Sequence, residues 1–153
     1  MELFQQAGSF KARGAYLGIH GMSSYEKSKG VIAASGGNHA LAVAWAAKKA
    51  GVSAKIAMPK ATDPIRINGC HALGAEIILC SDIAHAFSAM ETFSTDEDRT
   101  IMHPFEGRHM TLGSATCGVE FVTAHPDIDV FIIPVGGGGL ISGMATAIKL
   151  IKP

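Results

Sequence analysis

Apolar residues fall in short runs separated by longer amphipathic stretches, and the two alternate along most of the chain. Val31-Ile32-Ala33-Ala34 is an unbroken apolar run, as expected of a strand buried on both faces. It passes into Ser35-Gly36-Gly37-Asn38, and the spaced apolar positions that follow predict a helix over 40–50, stopped by Gly51. Ala54-Lys55-Ile56-Ala57-Met58 predicts a second strand, ended by Pro59. Thr62-Asp63-Pro64 is a helix start, with a capping side chain and Pro in the first turn, and that helix ends at Gly74. Residues 75–79 predict a third strand, 81–94 a third helix, and Thr100-Ile101-Met102 a short fourth strand. This β-α-β-α-β-α-β order implies the α/β class: an open parallel sheet with flanking helices and right-handed crossovers.

A second region follows. Residues 111–124 predict a helix rich in small side chains, broken by His125-Pro126-Asp127. Val130-Phe131-Ile132-Ile133-Pro134-Val135 carries the strongest strand pattern in the chain. It enters four consecutive glycines, 136–139, and a helix is predicted over 140–151. The chain then stops at Lys152-Pro153, where an open α/β sheet would be expected to continue. At the other end Gly8-Ser9-Phe10-Lys11 carries reactive chemistry with no strand before it. The expectation is a fold incomplete at both ends, the middle of a longer protein.

Composition narrows the class. The 153 residues are 48% hydrophobic and 17% charged, which excludes disorder and supplies a sizeable core. Lys+Arg and Asp+Glu number 13 each, so there is no general attraction to nucleic acid or to a membrane surface. No apolar run reaches the roughly 18 residues that span a bilayer, and the N-terminus lacks the pattern of a secretory leader. Cys70, Cys80 and Cys117 form no CxxC pair, so the expected compartment is the reducing cytoplasm.

Three segments carry candidate chemistry. The run Gly136, Gly137, Gly138 and Gly139 ends an apolar run and opens a helix, so unobstructed N–H groups and the helix dipole can meet an anion such as phosphate. No Gly-Lys-Ser/Thr follows, so it is not a P-loop, and Ile141 stands where a GxGxxG fingerprint needs its third glycine. Ser35, Gly36, Gly37, Asn38 and His39 lie at the C-terminal end of a strand, the edge where open parallel sheets bind ligands. Taken alone, that segment reads first as an ordinary helix N-cap by Asn38 or Ser35. Lys11, between Phe10 and Ala12, reads first as a solvated surface lysine when taken alone; as a desolvated amine its lowered pKa would suit Schiff-base chemistry.

The three segments together add a resemblance. Gly-Ser-Phe-Lys-x-Arg-Gly-Ala at 8–15, Ser-Gly-Gly-Asn-His-Ala at 35–40 and Pro-Val-Gly-Gly-Gly-Gly-Leu at 134–140 occur in the order of the signature motifs of fold-type II pyridoxal-phosphate enzymes. The chain most resembles the serine/threonine dehydratases and serine racemase, from Gly8 to Pro153, including Gly-Ala-Glu at 74–76 and His-Pro-Phe at 103–105. It departs from them at Leu112-Gly113-Ser114-Ala115-Thr116, where the family usually has Gly-Gln-Gly-Thr.

The resemblance implies a tryptophan-synthase-beta-like fold, with residues 1–29 and 107–153 belonging to a large domain and 30–106 to a small one. It implies that Lys11 carries pyridoxal 5'-phosphate and then serves as base for the α-proton. Asn38 would bond the cofactor's phenolic oxygen, and Gly136, Gly137, Gly138, Gly139 and Leu140 would hold its phosphate. Ser35, Gly36, Gly37 and His39 would hold the substrate carboxylate. The implied reaction is dehydration of L-threonine or L-serine to a 2-oxo acid and ammonia, in a homodimer.

The racemases of this family place a Ser opposite the lysine, and here Gly36 takes that place. A serine racemase-like enzyme, a non-catalytic α/β fragment and a nucleotide-binding domain remain the alternative readings. His20, His71, His85, His109 and His125 show no metal-ligand spacing and are expected in surface or loop positions. Asp96-Glu97-Asp98 is expected to be a solvated loop.

Overall fold

Four apolar runs pair into one sheet. In the computed structural model, which describes residues 1–153, these are β1 (Val31–Ala34), β2 (Ala54–Pro59), β3 (Glu76–Cys80) and β4 (Thr100–Ile101). Their order is β3-β2-β1-β4, and every neighbouring pair is parallel. The helices are α1 (Lys11–His20), α2 (Ser24–Lys29), α3 (Asn38–Ala50), α4 (Pro64–Ala72), α5 (Ile83–Glu97), α6 (Arg108–Ala124) and α7 (Gly139–Ile151). Two short 3-10 turns, Glu2–Phe4 and Gln6–Gly8, precede them.

The period-two alternation of strand side chains divides the core. Val31 and Ala33 of β1 face α3 and α4, together with Ile56, Met58, Val43 and Cys70. Ile32 and Ala34 face the other way, against Ala57 and α5's Ala86 and Met90. Successive right-handed crossovers put α3 and α4 on one face as the sheet grows from β1 to β3. The chain then returns past β1 to β4, which puts α5 on the opposite face. The direction in which strands are added therefore reverses between β1 and β4. Such a switch point is where open sheets offer a crevice.

α6 lies between α1 and α7, and small residues set the distance. A Cβ added to Gly113 would lie 2.4 Å from the Gly14 nitrogen, and one added to Gly143 would lie 2.3 Å from the Thr111 carbonyl oxygen. Only glycine permits backbones this close, which accounts for the small-residue composition of α6.

Two sequence expectations are corrected, and one helix falls where none was expected. Val130-Phe131-Ile132-Ile133-Pro134-Val135 is not a strand. A strand exists through its ladder, and none of the four strands pairs with this run; Val130, Ile132 and Val135 are 76%, 95% and 65% exposed. Its other side chains, Phe131 and Ile133, rest on Cys117, Val122, Met144 and Ile148. Next, Glu97 is the last residue of α5 rather than part of a solvated loop. It pairs with the buried Lys55 of β2 and with Arg99, and the ammonium of Lys55 also lies 4.6 Å from the Phe93 ring centre. Finally, α2 was not anticipated. Its residues are polar, but Ser23 and Glu26 form a reciprocal capping box that starts it.

Candidate functional site

Lys11 opens α1, and Phe10 before it brings a ring centre within 4.9 Å of the amine. Burial lowers the Lys11 pKa from its ordinary value of 10.5, because desolvation disfavours the charged form. The amine donates to the main-chain carbonyl of Pro104, in the segment that leaves β4. Two residues on, the Arg13 guanidinium is held from both sides. Nε and Nη2 reach the Glu2 carboxylate at 2.9 Å each, Nη1 and Nη2 reach Glu120 at 2.7 and 2.6 Å, and Nη1 reaches the Thr116 hydroxyl at 2.9 Å. The hydrogen bonds to Glu120 and then to Glu2 raise its pKa well above the ordinary guanidinium value. This clamp ties α1 to α6 and to the first turn of the chain, so the helix presenting Lys11 cannot shift independently.

The four glycines face Lys11 across a cavity of about 260 Å³, lined also by Phe10, Phe105, Pro134 and Leu140. α7 has no side-chain cap, and Gly138 before it is left-handed at φ 84°. The backbone N–H groups from Gly136 to Ile141 donate to no acceptor in the chain. An uncapped helix start with unmet donors and no side chains in the way is an anion cradle. Phe105 forms one wall of it. A Cβ on Gly137 would fall 2.3 Å from the Phe105 ring, and one on Gly139 would fall 2.8 Å from the Phe105 carbonyl oxygen.

The segment after β1 lies outside this cavity. The Ser35 hydroxyl accepts from the Gly37 N–H at 3.0 Å. The Asn38 side-chain oxygen accepts from Arg66 at 2.8 Å. A Cβ on Gly36 would lie 2.5 Å from the Thr62 hydroxyl. The N–H groups of Gly36, Asn38 and His39 are unused, so a second uncapped helix start stands at the sheet's C-terminal edge.

His39 differs from the rest of its loop. Its ring turns inward, 2% exposed, and Nε2 donates to the Met102 carbonyl at 2.8 Å. The ring is a buried tie to the segment leaving β4, not a group on the loop's open face. His109 is also corrected: it is half-buried against Gly18, and burial lowers its pKa.

Lys11 and the glycine run therefore meet in one cavity, while Ser35, Gly36, Gly37 and Asn38 form a neighbouring edge. Sequence reasoning missed Pro104, Arg66 and the wall role of Phe105. His-Pro-Phe at 103–105 was visible as a motif match, but its position against the glycines is set by packing.

A family model described as pyridoxal-phosphate dependent enzyme matches residues 1–153. A phenylserine dehydratase of Ralstonia pickettii is 40% identical over 153 residues, all of this chain and 47% of that protein. An L-threonine ammonia-lyase of Thermotoga maritima is 43% identical over 154 residues, 38% of that protein. Among solved structures, maize serine racemase superposes with a TM-score of 0.96 at 36% identity, covering 100% of this chain and 47% of its own. Threonine deaminase isoform 2 of Solanum lycopersicum superposes with a TM-score of 0.94 at 40% identity, covering 99% of this chain and 45% of its own. The chain spans less than half the length of these curated relatives.

Proposed function

The chain belongs to the family of pyridoxal-phosphate dependent enzymes, and on that premise we propose that it is the lysine- and phosphate-binding part of a dehydratase acting on a 3-hydroxy amino acid such as L-threonine or L-serine. One observation carries the reading: a desolvated amine and a run of unmet N–H groups share one cavity. The residues fit pyridoxal 5'-phosphate on that ground, since its aldehyde needs a neutral amine and its phosphate needs donors without side chains. Lys11 would hold the cofactor covalently, and Gly136, Gly137, Gly138, Gly139 and Leu140 would take the phosphate. Asn38, steadied by Arg66, would meet the ring's phenolic oxygen. When bound, the cofactor supplies an electron sink for the substrate's α-carbon.

The chain's own residues do the rest. Lys11 Nζ, released from Pro104, takes the α-proton. The free N–H groups of the 35–39 segment orient the substrate carboxylate, with Ser35 bracing the turn through Gly37. Phe10 and Phe105 keep water from the amine.

Gly36 favours dehydration over racemisation. Racemisation needs a second proton carrier facing the lysine, and Gly36 offers none; the nearby Thr62 hydroxyl leaves no room for a side chain without a shift. The division into residues 1–29 with 107–153 and 30–106 is supported by the confinement of all four strands to 31–101 and the mutual packing of α1, α6 and α7. The reading extends to a homodimer, the assembly that the resemblance implies. A reducing cytoplasm is supported by three free thiols; no helix is long and apolar enough to cross a membrane.

The test is borohydride trapping. Pyridoxal 5'-phosphate incubated with the chain and reduced should add one phosphopyridoxyl group (the cofactor less water plus two hydrogens), mapped to Lys11, and Lys11→Ala should abolish it. Undiminished covalent label in Lys11→Ala would refute the assignment. Pyruvate and D-serine are then followed from L-serine with the full-length protein. D-serine as the main product would replace dehydration by racemisation.

A further inference from the structure

Four buried polar side-chain atoms in the chain lack a hydrogen-bond partner, and one is His39 Nδ1. The reaction proposed above makes no use of this ring. A carbonyl can only accept, so the bond to Met102 fixes the hydrogen on Nε2 and leaves Nδ1 a bare acceptor. Met102 is thereby held through both of its main-chain polar groups. Its N–H donates to the Ile32 carbonyl of β1 at 2.8 Å, and its carbonyl receives His39.

The next residues leave the sheet on the course this sets. His103 Nδ1 accepts from the Glu106 N–H at 3.0 Å, which turns the chain. Pro104, buried, offers its carbonyl to the Lys11 amine. Phe105 follows, stacked edge-on to His103 with ring centres 4.6 Å apart and pressed on Gly137. All three signature segments thus meet on four consecutive residues: the first through Lys11, the second through His39, the third through Gly137.

We propose that His39 is a positioning residue, whose bond to Met102 fixes the course of residues 102–105 and so holds the Pro104 carbonyl at the Lys11 amine and the Phe105 ring at the glycine run. The proposal rests on the reading of Lys11 as the cofactor lysine. The ring suits the task because it stays neutral. Burial pushes its pKa down to about 4, and Lys11, His109 and His103 add to the opposition against a second proton. A single tautomer therefore persists across ordinary pH, and so does the tie.

The test needs no turnover. In the 153-residue chain without cofactor, the His39 ring nitrogens are followed by two-bond ¹H–¹⁵N correlation from pH 5 to 8. The Nε2–H tautomer is expected throughout; an Nδ1–H tautomer, or an imidazolium at pH 6, overturns the proposal. Trace acetylation then measures the Lys11 amine against the exposed Lys49. In His39→Ala the strap loosens, water reaches the amine, and Lys11 acetylation at pH 8 should fall about threefold as its pKa returns upward. His39→Gln can place an amide N–H where Nε2 stood and should keep the wild-type rate.

An unchanged rate in His39→Ala, or an equal loss in both variants, overturns the proposal. If His39→Ala does not fold, the tautomer and the His39→Gln rate decide. Failure of the cofactor reading looks different: borohydride then fails to fix pyridoxal 5'-phosphate on wild-type Lys11, while the acetylation pattern stands.

Discussion

The chain contains the same local design twice, an apolar run passing through glycines into an uncapped helix, and the two copies meet different fates. In the first, β1 is buried along its length, paired with β2 and β4, and its helix is anchored through His39. In the second, the run at 130–135 is longer and more apolar yet has no ladder, and its helix start is located chiefly by Phe105. A hydrophobic run states that a segment needs cover. Whether it becomes a strand depends on neighbours, because ladder bonds, not side chains, define one. The glycines behave alike in both copies because their requirement is local: unmet N–H groups and a close approach.

Emptying the two runs in turn gives the largest contrast. Ile32→Ala removes a fully buried side chain and should lower unfolding free energy by about 2–5 kcal/mol. Ile132→Ala, at 95% exposed, should change it by less than about 0.5 kcal/mol. Urea denaturation measures both, and equal losses would mean that the second run is as well embedded as the first.

Acid tests the anchor of the first copy. The folded pKa of His39, about 4, lies below its ordinary 6.5, so the unfolded chain takes up the proton first. Stability from this ring is full above about pH 6.5, declines as pH falls toward 4, and is flat below, a loss of about 3 kcal/mol. Thermal midpoints across that window should slope less in His39→Gln; parallel slopes would place the titration elsewhere.

The smallest contrast concerns the glycines. Gly137→Ala drives a methyl into the Phe105 ring and should weaken pyridoxal 5'-phosphate binding about tenfold, roughly 1.4 kcal/mol. Adding Phe105→Ala should recover most of it. Gly36→Ala crowds chiefly the Thr62 hydroxyl, the Thr62 methyl and Pro59 lying at ordinary contact distance, and should cost about threefold or less. Absorbance titration ranks the three variants, and the reverse order would mean that Phe105 yields more easily than Thr62.

Much of the fold was legible because it follows from local chemistry. β1 falls where the apolar run does, α3 ends at a left-handed Gly51, and α4 begins behind Asp63 and Pro64. The Lys11 and glycine segments were legible for the same reason: amine, glycines and helix start are written consecutively. The missing parts depend on distant residues. Nothing near Glu97 announces Lys55, which lies 42 positions away and meets it only when α5 crosses β2. Nothing near His39 announces Met102. Pro104 acts through its main chain, and a main-chain acceptor leaves no mark on residue identity. The capping box at Ser23 and Glu26 was legible and passed over, since a polar stretch offers no apolar period to follow.

The contact between Phe105 and Gly137 also bears on inheritance. A side chain at 137 cannot enter while an aromatic ring fills its space. A smaller residue at 105 would open that space but uncover the amine. The two positions, 32 apart in sequence, therefore form a single hereditary character: among descendants of a common ancestor they should change together or not at all. Anyone transplanting the glycine loop into another scaffold must carry position 105 with it.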